Sequence, residues 1–206
     1  MIHPHYQKLC RKVADIDEWG QIAILQMLTR YARCQFTHPD GSDANGAAKA
    51  DRPFYSDDEG DEENEGAAEK EHKEMDPDHR LLLTAAQPLL QSRNNGVVMA
   101  VASLYFYCAP YAEASRIGKP LVRILKSSRE TQYVVLANIA TMAATRPELF
   151  QPYIAEFFVS AAEPSFIRSL KLEILTYVAS SSNITKVLKE FNVRYLFARQ
   201  NLYLYI

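Results

Sequence analysis

The 206-residue sequence holds three cysteines, Cys10, Cys34 and Cys108. Their number is odd and they stand too far apart for a CxxC or zinc-ligand pair, so a disulfide framework and a structural zinc site are excluded. All three are expected as buried, reduced thiols. Long hydrophobic runs are missing too. The longest, Val97 to Ala112, is interrupted by Ser103 and Pro110 and falls short of the roughly 20 residues a membrane-spanning helix needs, so it is expected as a buried helix. Met1-Ile2-His3-Pro4-His5 lacks a basic stretch leading into an apolar run, which argues against a secretory leader. Strand-like alternation is absent. Also absent are GxSxG, HExxH, Walker and dinucleotide-binding fingerprints, and no cysteine, histidine and acid stand in a recognisable catalytic order. The expectation is an interaction protein rather than an enzyme, with no cofactor and no bound metal.

What is present begins with an uneven charge. The net charge is -2, yet Asp40 to Asp78 carries 15 acidic and 4 basic residues, a local charge of -11, against +9 for the rest of the chain. Seven of the twelve residues in YSDDEGDEENEG, Tyr55 to Gly66, are acidic. Low hydrophobicity with high charge leaves a segment unable to offset its chain entropy, so Thr37 to Glu74 is expected to be disordered. The acidic run lacks the fixed glycine turn and closing bidentate glutamate of a calcium loop. Ser56 is a candidate phosphorylation site, because Asp57, Asp58 and Glu59 follow it as acidophilic kinases require. Phosphorylation there would deepen the negative charge.

Outside that block the pattern is helical, and the fold class is all-α. One helix is expected over Tyr6 to Val13 and another from Glu18 to about Cys34. The second has Trp19, Ile22, Leu25 or Gln26, and Thr29 along one line, with Ile24, Met27, Leu28 and Tyr31 beside it. From Asp78 to Phe191 the pattern repeats. Pro88, Pro120 and Pro152 stand 32 residues apart and open similar phrases, PLL, PLV and PYI. Each is followed by a more apolar helix: VVMAVASLYF, YVVLANIATMA and IRSLKLEILTYVA. A shorter helix followed by a more buried one at this period is the mark of a HEAT/armadillo-type helical-repeat solenoid, here interrupted by a long acidic loop. The expected division is a first helical pair over 1–36, the acidic insertion over 37–77, about three repeats over 78–191 and a tail over 192–206.

Local signals agree. Ser127 and Glu130 have capping-box spacing ahead of a helix at Tyr133, Pro147 suits a first turn, and Ser165 suits an N-cap before Phe166. Asp76, Asp78 and His79 cluster as DPDH, and Asp78 as an N-cap accounts for them. In Phe166 to Ala179, Ile167, Leu170, Ile174 and Val178 face away from a wet side carrying Arg168 and Lys171. Asn183-Ile184-Thr185 is a chance glycosylation match. His3 and His5 flank Pro4 without evident purpose.

Arg116, Lys119, Arg123 and Lys126 are spaced three, four and three, forming a basic stripe on one helix opposite Ile117, Leu121 and Ile124. They are the candidate contact for an acidic partner, a lipid headgroup or the chain's own acidic loop. Nucleic acid is not expected, since no aromatic interleaving or binding module accompanies the charge.

The phrases ADIDEWGQIAILQMLTRYAR, MDPDHRLLLTAAQPLLQSRNNGVVMAVASLYF and FIRSLKLEILTYVASSSNITKVLKEF resemble the trunk of the beta-adaptin large subunits, above all the beta subunit of adaptor protein complex three. The resemblance covers His3 to Phe36 and Met75 to Phe191, with EWGQ, TRYAR and DPDHRLL as its most specific motifs. The acidic insertion after TRYAR also resembles that subunit. It implies a piece of a vesicle coat adaptor, cytoplasmic and peripheral on Golgi and endosomal membranes, serving protein transport to lysosomes and related organelles. Implied partners are a second large chain, medium and small chains, an Arf-type GTPase and the membrane surface. A family trunk is several times longer than this chain, and NVRYLFARQNLYLYI leaves its pattern. The rival reading is another helical-repeat scaffold, such as a nuclear transport carrier or a phosphatase scaffold subunit.

Overall fold

The computed structural model describes residues 2–39, 75–127, 129–160 and 162–192. Every regular element among them is helical. A 3-10 turn, His3–His5, leads into α1 (Tyr6–Lys12) and then α2 (Glu18–Gln35). Next come α3 (Pro77–Ala86) with the 3-10 turn Gln87–Gln91, and α4 (Asn95–Cys108). The short α5 (Tyr111–Ala114), the turn Ser115–Ile117 and α6 (Gly118–Ser127) precede α7 (Arg129–Thr145). Two 3-10 turns, Pro147–Leu149 and Gln151–Phe157, precede α8 (Ser165–Val178). A last helix, α9, covers residues 184–192.

These elements stack in two layers. An outer layer runs through α1, α3 and α6, and an inner layer through α2, α4, α7 and α8; neighbouring inner helices pack on one another, α4 also packs on α6 and on the turn after α3, α7 on α6, and α8 on the two turns that precede it. This is the all-α helical-repeat solenoid expected from the sequence. Helix α4 shows why burial follows composition: it has no charged residue, and Val97, Val98, Val101, Ala102, Leu104 and Tyr105 are fully buried. A helix apolar on all sides can be satisfied solely between neighbours. Tyr105 carries its polar tip inward, and its hydroxyl donates to Leu83 O at 2.8 Å.

Several local expectations change. The cap of α3 is Asp76, not Asp78: its carboxylate accepts from Asp78 N at 2.8 Å, because Pro77 takes the first helical position, where a missing N–H costs nothing. Ser127 ends α6 instead of opening a capping box, its hydroxyl donating to Ile124 O (2.9 Å). The following helix accordingly starts at Arg129, not Tyr133, with Glu130 in its first turn. Ser165 is the first residue inside α8, whose N-cap position is Pro164. The phrase PYI lies in a 3-10 turn.

Trp19 does not join the buried line of α2; it is 82% exposed, while Leu25 and Leu28 are sealed. Lys171 is not on a wet side. It is 5% exposed, because its ammonium turns inward to Glu163 Oε1 and Phe158 O. Cys10 and Cys108 are buried as expected, whereas Cys34, in the last turn of α2, is exposed. Asn183 is buried, its side chain bonded to Ser180 N (2.7 Å) and Val178 O (3.1 Å).

The two ends of the expected disordered insertion are placed. Residues 37–39 follow α2, with His38 against Arg146, and Pro77 lies within α3. The rest of the insertion, with Ser56, and the tail after residue 192 lie outside the described residues.

Candidate functional site

The basic residues do not form one stripe on one helix. Arg116 belongs to the turn before α6, and its guanidinium lies 3.9 Å from Glu113. Lys119, Arg123 and Lys126 are on α6. Arg123 is fixed by three neutral acceptors, Gln91 Oε1 at 3.0 Å, Leu90 O at 2.8 Å and Ser92 O at 3.1 Å, so among the described residues its position is set by groups that do not neutralise its charge. Lys126 pairs with Glu156 at 2.7 Å and points to a different depression. The structure therefore brings together Arg116, Lys119 and Arg123 and separates Lys126. The three line a cavity of about 730 Å³ with Gln87, Gln91 and Tyr153, and among the described residues no carboxylate lines it. Gly118 makes this wall possible: a Cβ there would sit 2.6 Å from the Tyr153 ring and 2.9 Å from Leu149 O.

A second concavity of about 620 Å³ lies on the inner layer, along α2, α4 and α7. Ile22, Met99 and Val134 line it, with Arg30 and Arg33 toward one end. The sequence did hint at it. Helix α7 places apolar residues on more than one side, burying Val135 and Leu136 while Tyr133 and Val134 stay exposed.

The junction between α2 and α3 gathers titratable groups inside the core. Phe36 stacks on His79 with ring centres 5.1 Å apart and planes 8° apart, and the Tyr6 hydroxyl donates to Asp78 O. Burial lowers the His79 pKa below its ordinary value. Burial pushes the Cys10 thiol up to about 11, the Cys108 thiol up to about 12 and the Tyr105 phenol up to about 12. The Tyr6 phenol is raised as well, by burial first and Cys10 second. These shifts hold each group neutral, the opposite of what an activated nucleophile requires. Among the described residues no three His, Cys, Asp or Glu side chains gather as metal ligands. No described helix is long and apolar enough to cross a membrane.

Arg146 is a contact the sequence did not reveal. Its guanidinium lies 5.0 Å from the Phe106 ring centre and 4.5 Å from that of Tyr111, with His38 Nε2 at 3.4 Å. His3, read as purposeless, bonds through Nδ1 to the Tyr31 hydroxyl at 2.6 Å. Both pairs are distant in sequence and leave no periodic trace.

A structural comparison finds a full-length AP-3 complex in an intermediate open conformation, itself a homology model, with a TM-score of 0.63 and 20% identity over 92% of this chain and 30% of that one. That likeness speaks for the fold. In sequence, the chain is 50% identical to AP-3 complex subunit beta of Dictyostelium discoideum, over 93% of this chain and 19% of the relative. It is 49% identical to AP-3 complex subunit beta-1 of Homo sapiens, over 93% and 17%, and 29% identical to AP3-complex subunit beta-A of Arabidopsis thaliana, over 93% and 24%. The chain thus spans about a fifth of the length of the curated relatives it matches. The family model described as the adaptin N terminal region matches residues 1–197. With nearly the whole chain inside that match and the stacked helical pairs to go with it, the chain belongs to the adaptin N-terminal-region family.

Proposed function

We propose that this chain is a segment of the helical trunk of an adaptor beta subunit of the AP-3 type, working as a scaffold in vesicle-mediated protein transport. The observation that carries the reading is the 49–50% identity, across 93% of the chain, to beta subunits of AP-3 complexes. A solenoid supplies extended faces of packed helices rather than a closed reaction site, and the buried titratable groups fit that use.

On this reading the trunk assembles with a second large chain and with medium and small adaptor chains. It works in the cytoplasm at the surface of Golgi and endosomal membranes, through an Arf-type GTPase, on routes to lysosomes and related organelles. The cavity of Arg116, Lys119 and Arg123 is its contact for an acidic partner surface, Lys119 providing the charge best placed to meet it. Lys126 is assigned to Glu156 instead.

The test is affinity purification from cells of the full-length product that contains this sequence, followed by mass spectrometry. Recovery of another large adaptor chain with medium and small chains is the expected result. Recovery of a Ran-type GTPase or a phosphatase catalytic subunit in their place would overturn it. Lys119→Glu, at an exposed position, should reduce recruitment to membranes without altering the protein's melting temperature; unchanged recruitment removes the cavity from the account.

A further inference from the structure

The cavity of Arg116, Lys119 and Arg123 crosses the outer side of three successive repeats. Gln91, in the turn after α3, and Arg123 of α6 stand 32 residues apart, the interval between Pro88 and Pro120, and they bond to each other across the join. The turn Gln151–Phe157 adds Tyr153 to the lining. The periodicity of the solenoid thus sets residues from three places in the chain around one opening of about 730 Å³.

The charges there are unequally supported. Arg123 gives three of its five N–H groups to Gln91 Oε1, Leu90 O and Ser92 O, so its guanidinium is set in place before any ligand arrives. The Nε hydrogen and one on Nη1 remain unspent among the described residues. Arg116 has Glu113 at 3.9 Å, whereas Lys119 is exposed and has no hydrogen bond or ion pair among the described residues. Three cations against one carboxylate leave a surplus of two positive charges. Neutral donors stand beside them. Gln91 spends its Oε1 on Arg123, which leaves its Nε2 to donate, and the Tyr153 hydroxyl has no partner among the described residues.

We propose that this cavity binds a phosphoserine or phosphothreonine in an extended segment of a partner protein. The proposal rests on the reading of the cavity as an acidic contact and specifies the acid. A phosphate monoester carries about -1.5 to -2 at pH 7 and three strong acceptor oxygens, matching both the surplus charge and the several donors. A single carboxylate has one charge and two oxygens, and would leave one of the two surplus charges unmatched. A fixed planar guanidinium with a mobile ammonium nearby also suits a tetrahedral group, whose oxygens point in different directions. The lining favours a protein segment over a bilayer. Binding to a bilayer surface draws on apolar side chains that enter it, and none of the large hydrophobic residues found exposed lines this cavity. What it offers instead suits a chain: exposed Pro88 gives a neighbouring side chain an apolar surface, and the Gln87 and Gln91 amides can meet backbone groups.

Peptide arrays probed with the full-length product test it. One array holds a fixed phosphoserine between degenerate flanks, and two matched arrays hold serine or glutamate in its place. Retention is expected on the first array and not on the serine array. For the best-retained peptide, fluorescence anisotropy should show the phosphoserine form binding about tenfold or more tightly than its glutamate counterpart. Lys119→Glu should weaken that binding by about tenfold or more. Arg123→Lys, which keeps the charge and loses the planar fork, should weaken it severalfold, and Lys126→Gln, in the separate depression, should leave it unchanged. None of these readouts depends on membrane recruitment, so this proposal and the acidic-contact reading fail separately. Equal binding by glutamate overturns the phosphate and leaves an acidic contact standing. Affinity indifferent to Lys119→Glu overturns the site. Absence of retention on every array overturns the proposal, in favour of a lipid if Lys119→Glu also abolishes sedimentation with phosphatidylcholine vesicles containing a phosphoinositide.

Discussion

Replacing Glu163 by glutamine should damage this protein more than deleting the positive charge that Glu163 serves. Lys171 and Glu163 have side-chain exposures of 6% and 18%, with Nζ and Oε1 2.5 Å apart. Lys171 keeps one further acceptor, Phe158 O at 3.3 Å. Glu163→Gln preserves the shape but removes the charge, leaving a buried ammonium beside neutral oxygens. Breaking a buried pair from one side costs about 3–5 kcal/mol, and the partial exposure of Glu163 places this case near about 3 kcal/mol. Lys171→Met retains most of the apolar stem and leaves Glu163 accepting from Ser160 N at 3.2 Å, at a cost of about 1 kcal/mol or less. Urea unfolding of the full chain at pH 7, followed by circular dichroism, separates the two. With a slope of about 2 kcal/mol per molar urea, Glu163→Gln lowers the midpoint by about 1.5 M and Lys171→Met by about 0.5 M. A smaller effect from Glu163→Gln than from Lys171→Met would refute the reasoning, since it would mean that the ammonium finds its compensation elsewhere.

Three further outcomes follow from buried groups. A thiol reagent should label Cys34 at once in the native protein and reach Cys10 and Cys108 solely after denaturation, because burial pushes those two thiols to about 11 and about 12; mass mapping of the adducts checks it. His79 is held neutral below the ordinary 6.5 in the fold, so the unfolded chain takes up its proton first. Stability from this group is complete above pH 6.5 and falls as pH drops below it, and His79→Asn should flatten the pH 5–7 limb of the urea midpoint. Gly118→Ala should lose about 1–3 kcal/mol, because Leu149 O, a backbone atom 2.9 Å from the new methyl, cannot swing aside as a side chain does. A melting temperature equal to wild type would show that the turn before α7's successor yields freely.

The architecture was legible because it rests on periodicity. Asn95 to Tyr107 reads as an inner helix from its composition alone, and the prolines at 88, 120 and 152 each precede an inner helix, the first and last in 3-10 turns and the second in α6. Helix ends were less legible, since Pro77 and Pro164 shift the caps by a residue or two and several residues compete for each cap. Lys171 was misread because helical spacing gives a direction for a side chain, not what waits there; Glu163 comes from the loop before α8. The basic residues were found, but spacing alone treats Arg123 and Lys126 alike. Their partners, Leu90 and Ser92 for one and Glu156 for the other, come from neighbouring repeats and decide which charge remains available. The inner concavity left a single sign, the apolar residues that α7 carries on more than one side, because the space itself depends on how far apart two helices stand.

The contacts at the α2–α3 junction bear on where this chain tolerates change. Phe36 and His79 are stacked face to face, and Tyr6 reaches the backbone of Asp78, so the described chain before residue 40 and after residue 74 meets at one spot. Two pieces divided between Pro39 and Met75 would therefore present matching faces, α1 and α2 on one and α3 and α4 on the other, with an apolar contact already shaped to reunite them. Closing a loop across such a junction becomes only slightly harder as it lengthens, by about 0.6 kcal/mol for each doubling. The junction is a natural splice point, at which residues can be added or removed over generations, or a reporter inserted at the bench, while the repeats on either side keep their register.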